Sequence, residues 1–353
     1  GAWPTAATQL IASGVPAGTE FRANTTTSSN QYQPAVVALS GGWFFIAWYD
    51  DGFGDVRAQR YASDGSAAGA EFTINTLITG SQFEPQLSAL STGGFVAVWT
   101  STDASGQGIA AQRFDDAGSK IGPEIAVNTT TSGTQNTPDV AGLAAGGFVA
   151  VWESGNSVFL QRFDAAGNKV GPEVLANNVT DAPANTGGAS TSVAALASGG
   201  FVVTWGSSHS GVLGGSGYDV FMQQFDATGV KIDGARLVNT TTASTQYVPD
   251  IAALTGENFV IAWQGYNQER GTANSYGVFH QLFGTAGSIT QGAAPVITDV
   301  TASVTFAENL VNATPQIIDS GISVTDSDSP NFDGGRLWVS VISGYGDVLQ
   351  SQL

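Results

Sequence analysis

The stretch Gly93-Gly94-Phe95-Val96-Ala97-Val98-Trp99 decides the fold, and it recurs unchanged at residues 146–152. Related stretches end at Trp48, Trp205 and Trp263, so that neighbouring tryptophans lie 51 to 58 residues apart. The strand that this stretch predicts is apolar on both faces, which is typical of a strand covered by other sheets on both sides. A repeat of this length predicts the blade of a β-propeller.

Three further segments recur around each tryptophan. An inner strand precedes it, as in residues 34–39, and a strand that ends in Gln, any residue and an aromatic follows it, as in residues 59–61. A fourth strand then begins with Gly, any residue and Glu, as in residues 69–71. Four short strands in each repeat are what a propeller blade requires.

The two ends of the chain set the blade count. An isolated fourth-strand segment lies at residues 18–24, and the fifth repeat stops after its third strand at Phe283. We therefore predict an all-β fold, with a five-bladed β-propeller of four-stranded blades over residues 1–290 and the last blade closed by the N-terminal strand. An open segment of a larger ring is the alternative. A linker at residues 291–295 and the start of a β-sandwich over residues 296–353 are predicted to follow.

Composition excludes several classes of function. The 29 acidic and 11 basic residues give a net charge of -18, which repels phosphates and anionic membranes, so we expect no nucleic-acid partner. No apolar segment approaches the roughly 20 residues of a transmembrane helix. The chain contains no cysteine, which excludes disulfides and thiolate metal sites. If the protein is exported, its signal is expected outside this sequence.

The repeat that combines Gly-Gly-Phe-Val-x-x-Trp with Gln-Arg-Phe-Asp-x-x-Gly and Val-Asn-Thr-Thr-Thr resembles repeats in very large secreted RTX-type calcium-binding proteins of Gram-negative bacteria. The C-terminal segments, Thr-Phe-Ala-Glu-Asn at residues 305–309 and Asp-Ser-Asp-Ser-Pro at 326–330, are similar to the start of cadherin-like modules in the same proteins. The resemblance implies a secreted or cell-surface protein that leaves by type I secretion, depends on Ca²⁺ and contains further domains in the same chain.

Two acidic groups are candidate Ca²⁺ ligands. The resemblance to cadherin-like modules implies a site at Glu308, Asp326, Asp328 and Asp333. In the propeller, Asp50, Asp51 and Asp55 offer three carboxylates within six residues, and Ca²⁺ prefers such oxygen ligands. The other blades carry poorer ligands there, so a turn with solvated acids is the alternative at this loop.

The links between blades carry candidate ligand-binding amides. Each link pairs an asparagine with a glutamine seven residues later: Asn24 with Gln31, Asn75 with Gln82, Asn128 with Gln135, and Asn239 with Gln246. The links share one face of the propeller, so a ring of amides is predicted to bind a glycan or a cell-surface or matrix polymer with avidity. Alternatively, these side chains bond to the backbone of their own turns.

The sequence offers one candidate for catalysis. Asp139 and Asp250 follow the prolines of inner strands three and five, and five-bladed glycoside hydrolases place paired carboxylates on inner strands. The near-equivalence of the blades argues against a single active site. We therefore expect a non-enzymatic extracellular binding or adhesion module, with a carbohydrate-active enzyme domain or an inert spacer or assembly scaffold as alternatives.

Overall fold

The computed structural model describes residues 20–103, 106–177, 191–208, 217–242, 244–266 and 275–284, and four short strands between residues 296 and 350. The chain forms two compact units, residues 1–283 and 284–353. In the second unit, Val296–Thr298 pairs antiparallel with Ser323–Thr325, and Trp338–Ser340 pairs antiparallel with Val348–Gln350. The rest of the predicted cadherin-like β-sandwich lies outside the described residues, together with the proposed Ca²⁺ ligands Glu308, Asp326, Asp328 and Asp333.

The first unit consists of five consecutive antiparallel sheets, which we call blades one to five in chain order. Blade one contains β1 (Gln31–Ala38), β2 (Phe44–Asp50), β3 (Asp55–Tyr61) and β4 (Phe72–Thr73). Blade two contains β5 (Gln82–Ala89), β6 (Phe95–Asp103), β7 (Gly106–Phe114) and β8 (Lys120–Ala126). Blade three contains β9 (Gln135–Gly142), β10 (Phe148–Ser154), β11 (Ser157–Phe163) and β12 (Lys169–Leu175).

Blades four and five follow in the same order along the chain. Blade four contains β13 (Ser192–Ala195), β14 (Phe201–Ser208), β15 (Tyr218–Phe225) and β16 (Lys231–Leu237). Blade five contains β17 (Gln246–Ala253), β18 (Phe259–Tyr266) and β19 (Tyr276–Phe283), three strands within the described part of the chain. This arrangement confirms the predicted all-β, five-bladed β-propeller.

The second strands of blades two, three and four are buried on both faces because each lies between two neighbouring blades. In β10, residues 148–151 have no exposed surface and Trp152 is 1% exposed. Four apolar clusters join successive blades, and each contains residues of two second strands: Phe45 with Trp99, Val98 with Trp152, Val151 with Trp205, and Val202 with Trp263. Burying one such large side chain contributes about 1.5–3 kcal/mol, so these clusters are the main stabilising feature of the fold.

In blades two and three, a glutamate on the fourth strand fastens the blade to the link that precedes it. Glu173 of β12 accepts hydrogen bonds from the backbone N–H groups of Thr129 and Thr130 and, at 3.0 Å, from the Thr130 hydroxyl. Glu124 of β8 accepts bonds from the N–H groups of Thr76 and Leu77. These charge-assisted bonds hold the links between blades against the outer strands.

The described part of the N-terminal segment contacts blade one. Residues 20–24 do not form a strand in blade five; instead the Tyr61 hydroxyl donates a hydrogen bond to the Ala23 carbonyl at 2.8 Å. Glu71 accepts bonds from the N–H groups of Thr25 and Thr26, as Glu124 and Glu173 do from their links. Residues 20–26 therefore lie beside blade one. They occupy the position that the end of the fourth strand and the following link of one blade occupy beside the next blade.

Blades one and five leave complementary apolar faces exposed. Val278 of β19 is 81% exposed, although Val56, Val158 and Val220 occupy the same position in other blades with no exposed surface. Val36 of β1 is 67% exposed, whereas the equivalent Val140 of β9 is 5% exposed. Among the described residues, no apolar cluster joins blade five to blade one. Closure of the ring by the N-terminal strand stays a prediction.

Candidate functional site

The amides predicted to bind ligand are used inside the protein. Six of the eight have exposures of 8% or less: Asn75, Gln82, Asn128, Gln135, Asn239 and Gln246. Asn24 and Gln31 are half-buried, and the Asn24 amide donates to Gln31 Oε1 at 3.0 Å. A glycan outside the blades does not reach such groups. Burial therefore favours the alternative in which these side chains bond within the protein, and ligand binding at these amides stays a prediction.

Asn75, Asn128 and Asn239 instead link the end of the fourth strand of their blade to the third strand. Asn128 Oδ1 accepts the N–H of Ile109 at 2.7 Å, while its Nδ2 donates to Gln135 Oε1 at 3.1 Å and to the Thr130 carbonyl at 3.0 Å. Gln135 in turn donates to the Ser132 carbonyl at 3.1 Å. These bonds satisfy buried backbone groups, as the alternative interpretation of the links expects.

The acidic loop of blade one is not assembled as a metal site. Asp50 is buried and accepts the N–H of Gly52 at 3.0 Å, Asp51 is exposed, and Asp55 accepts a bond from Asn75 Nδ2 at 2.7 Å. Within the part of the chain that the structure describes, no three acidic or histidine side chains are grouped to hold a metal ion. Asp50 and Asp55 thus act in the turn and in the contact between strands.

A β-bulge precedes the two candidate catalytic aspartates. The pairing of β9 with β10 and of β17 with β18 is irregular at the residue before the proline. That residue is Thr137 in blade three, with a φ of 48°, and Val248 in blade five, with a φ of 53°. β-Branched residues rarely adopt positive φ, and a bulge redirects the side chains that follow it. Asp139 and Asp250 are those following side chains.

Ser192 brings the two aspartates together. Its Oγ lies 3.0 Å from Asp139 Oδ2 and 3.0 Å from Asp250 Oδ1, so the two carboxylate oxygens are no farther apart than the sum of these contacts. Asp139, Ser192 and Asp250 occupy equivalent positions on the inner strands β9, β13 and β17, with Ser192 on the blade between the other two. We call these three residues the inner cluster.

Sequence analysis missed Ser192, although a signal for it was present. The inner strand of blade four has Thr191 where the other blades have proline, and this departure hides the equivalence of Ser192 with Asp139 and Asp250. Ala35 and Gln86 stand at the same position in blades one and two. The inner cluster is therefore confined to blades three to five.

The environment of Asp139 favours its protonated form. Burial raises the pKa of Asp139 to about 6; hydrogen bonds from the N–H groups of Val193 and Val140 and from Ser192 oppose this rise, and the charge of Asp250 adds to it. The Val193 and Val140 N–H groups lie 2.8 Å from Asp139 oxygens. A carboxyl group that titrates near neutral pH is a feature of acid–base sites.

The inner strands supply no cation to compensate the two aspartates. β5, β9, β13 and β17 contain neither lysine, arginine nor histidine. Glu84 of β5 is a further acid nearby, and its Oε2 accepts the N–H of Thr137 at 3.0 Å and the Thr100 hydroxyl at 2.9 Å. The charged side chains that the described inner strands contribute around the inner cluster are therefore all acidic.

The longest connections of the propeller belong to the blades that carry the inner cluster. Nine residues join the second strand to the third in blades four and five, compared with two in blades two and three. Sixteen residues connect β12 to β13, twice as many as connect β8 to β9. In antiparallel sheets these connections lie at the end where the inner strands begin. This asymmetry distinguishes blades three to five from a regular repeat.

No protein-family model and no curated protein matches the chain. It is similar in fold to an endo-arabinase from Bacteroides thetaiotaomicron, with 11% identity and a TM-score of 0.43 over 71% of this chain and 94% of the other. It is also similar to the GH93 α-L-arabinofuranosidase of Fusarium graminearum, with 12% identity and a TM-score of 0.47 over 70% of this chain and 80% of the other. At these identities the likeness assigns no activity to this chain.

A search of the described residues for a membrane-spanning helix finds none that is long and apolar enough.

Proposed function

We propose that the propeller is a carbohydrate-active domain that cleaves glycosidic bonds, with Asp139 and Asp250 as its carboxyl pair. One observation carries the proposal: Ser192 holds the two carboxylates within reach of each other on inner strands at the centre of the ring. The net charge of -18 and the acidic surroundings of the cluster favour a neutral substrate over a phosphorylated or acidic one.

The two aspartates differ in environment, which suits two different roles. Burial raises the pKa of Asp139 to about 6, so that a fraction of this carboxyl is protonated near neutral pH and able to protonate the leaving glycosidic oxygen. Asp250 is exposed, and we assign it the attack on the anomeric carbon. In this scheme the glycosidic C–O bond breaks as the Asp250 ester forms, and water later releases the sugar.

The experiment that tests this proposal locates the sugar. Wild-type protein is incubated with a panel of neutral polysaccharides, and newly formed reducing ends are measured. The Asp139→Asn variant is then titrated with an oligosaccharide of the best substrate while backbone amide shifts are recorded. We expect the largest shifts at inner-strand residues such as Ser192 and Val193. The absence of cleavage on every polymer, or shifts confined to the outer loops, would contradict the proposal.

A second candidate is a binding or adhesion module, and one observation favours it. Phe53, Leu77 and Ile78 are 57%, 58% and 72% exposed on two adjoining loops of blade one. The Gln82 N–H donates to the Gly54 carbonyl at 2.8 Å and so holds these loops together. The link at Asn128 has threonines where this one has Leu77 and Ile78. An exposed apolar group of this kind marks a contact surface.

The secreted, Ca²⁺-dependent setting implied by the resemblance to RTX-type proteins belongs to this second candidate. Its test uses the variant Leu77→Thr with Ile78→Thr, which restores the threonines of the Asn128 link. We expect this variant to keep its stability and to lose retention on surface polysaccharide or matrix columns, run with and without EDTA. Equal retention of variant and wild type would remove this surface from the account.

A further inference from the structure

The inner cluster contains more hydrogen-bond contacts than its hydroxyl can supply. Ser192 Oγ lies 3.0 Å from a carboxylate oxygen on each side, at Asp139 Oδ2 and at Asp250 Oδ1. A serine hydroxyl carries one hydrogen, so it donates to one carboxylate only. With both aspartates ionised, the other 3.0 Å contact would join two oxygens that have no hydrogen between them.

We propose that Asp139 and Asp250 hold one proton between them, with the Ser192 hydroxyl as the bridge that links the two carboxyl groups. In one arrangement Asp139 donates to Ser192 Oγ and Ser192 donates to Asp250 Oδ1. In the other arrangement both bonds are reversed. In either arrangement, one carboxyl proton and one hydroxyl hydrogen supply both contacts. The two aspartates together carry one negative charge in both arrangements.

The groups around the pair favour retention of this proton. Asp139 is packed against β5, β10 and β13, and the ionisable side chains that these strands and β9 present nearby are Glu84 on β5 and Glu153 on β10. Glu153 is 3% exposed and Glu84 is half-buried. Among the described residues, no strand in contact with the pair carries a cation, so a negative charge on Asp139 is not balanced by an opposite charge on these strands.

Backbone hydrogen bonds to both carboxyl groups explain why neither aspartate holds the proton permanently. Asp139 accepts the Val193 and Val140 N–H groups, each at 2.8 Å, and Asp250 accepts the Ile251 N–H at 2.9 Å. Both carboxyl groups therefore have backbone donors that stabilise an anion. Two carboxyl groups that share a proton titrate as a pair and not as two independent sites.

This inference deepens the proposed function, because it assigns Ser192 as a positioning residue that transfers the proton between the acid and its partner. The experiment is independent of substrate. The side-chain carboxyl carbons of aspartate are labelled with ¹³C, and their shifts are followed from pH 3 to 9 in the wild type and in Ser192→Ala, Ser192→Thr and Asp250→Asn. Ser88→Ala is the matched control, since the Ser88 hydroxyl accepts the Gly142 N–H at 2.9 Å and touches neither aspartate.

We expect the Asp139 carboxyl of the wild type to titrate near neutral pH, with the Asp250 signal responding to the same step. In Asp250→Asn the Asp139 midpoint should fall by more than half a pH unit, because a neighbouring negative charge is removed. In Ser192→Ala it should rise, because the carboxylate loses a donor. Ser192→Thr, which keeps the hydroxyl, and Ser88→Ala should leave the midpoint at its wild-type value.

An Asp139 midpoint that is the same in the wild type, Ser192→Ala and Asp250→Asn would overturn the shared proton. If Ser192→Ala does not fold, Asp250→Asn decides alone, because Asp250 is exposed and its replacement leaves the core intact. A shared titration in a protein that cleaves no glycan would overturn the proposed enzyme activity and leave the shared proton standing. The two proposals therefore fail separately.

Discussion

The side-chain oxygen of Asn128 accepts a hydrogen bond from the backbone N–H of Ile109 at 2.7 Å, deep between the outer strands of blade two. The same bond joins Asn75 to Val56, Asn177 to Val158 and Asn239 to Val220. The asparagine of each link is therefore required by the blade, and its recurrence has a structural cause.

Replacement of Asn128 by alanine should destabilise the propeller without affecting ligand binding. The change leaves the buried N–H of Ile109 unpaired, which costs about 1–3 kcal/mol of unfolding free energy. Urea denaturation measures this loss. The control is Asn168→Ala, which alters an exposed turn and should change stability by less than about 0.5 kcal/mol. Equal stability of the two variants would show that the propeller does not require Asn128, and the link amides would again be candidates for ligand binding.

Closure of the ring can be tested by a disulfide. Val56 and Ile74 are joined by a backbone hydrogen bond of 2.8 Å between the third and fourth strands of blade one. Val278 and Ala23 hold the corresponding positions for blade five. If the N-terminal strand completes that blade, Ala23→Cys with Val278→Cys should form an intramolecular disulfide, since directly opposite residues on antiparallel strands have Cα atoms about 4.5–5.5 Å apart, within the roughly 4.4–6.8 Å that a disulfide spans.

The chain has no native cysteine, so non-reducing electrophoresis reports this bond without interference. Each single-cysteine variant is the control for disulfides between molecules. If the oxidised monomer migrates like the reduced form, no disulfide has formed and residues 18–24 do not pair with β19. That result would favour the open segment of a larger ring.

The contact of the N-terminal segment with blade one should be lost at low pH. Burial tends to raise the pKa of Glu71, but the hydrogen bonds from Thr25 and Thr26 outweigh it and lower this pKa overall. A carboxylate with a lowered folded pKa stabilises the contact above its unfolded pKa of about 4.3 and loses it as pH falls through the folded value.

Hydrogen exchange of the Thr25 and Thr26 amides measures this contact. Their protection factors should be constant from pH 7 to about 5 and should decrease below the unfolded pKa of Glu71. In Glu71→Gln the protection should be lower at neutral pH and should not change with pH. The same pH dependence in this variant would assign the effect to another carboxylate.

Much of the fold could be predicted because it depends on a repeated pattern. A second strand that is apolar on both faces, as in residues 93–99, has to lie between two sheets, and the number of such strands gives the number of blades. The pattern does not say which way an amide points. Asn128 and Gln135 were predicted to face solvent, but the unpaired N–H at the start of each third strand draws the asparagine inward.

The candidate site was predictable only in part, for a related reason. Asp139 and Asp250 stand out in the sequence because both follow a proline, whereas Ser192 follows Thr191 and belongs to the least regular repeat. Contact among the three depends on bulges and on the spacing of successive blades, which no single repeat encodes. The place of residues 20–26 likewise depends on Glu71, a residue 45 positions beyond Thr26.

The geometry of the inner cluster also predicts the stereochemistry of cleavage. A single hydroxyl bridges the two carboxyl groups, with 3.0 Å to an oxygen of each, and this close spacing resembles the roughly 5–5.5 Å separation of the carboxyl groups in retaining enzymes. Retention of the anomeric configuration is therefore expected. Proton NMR of the first sugar released, recorded before mutarotation, decides between retention and inversion. A product of inverted configuration would show that Asp250 activates a water molecule instead of attacking the sugar.

The central claim is that Asp139 and Asp250 carry the activity of the propeller, and the rate of glycoside cleavage by isosteric variants tests it most directly. Asp51→Asn makes the same chemical change at an exposed acid on the loop of blade one and serves as the control. We predict that Asp139→Asn and Asp250→Asn each lower kcat/KM by roughly 100-fold or more while Asp51→Asn does not. Cleavage by both inner-cluster variants within about twofold of the wild-type rate, in folded protein, would contradict the account.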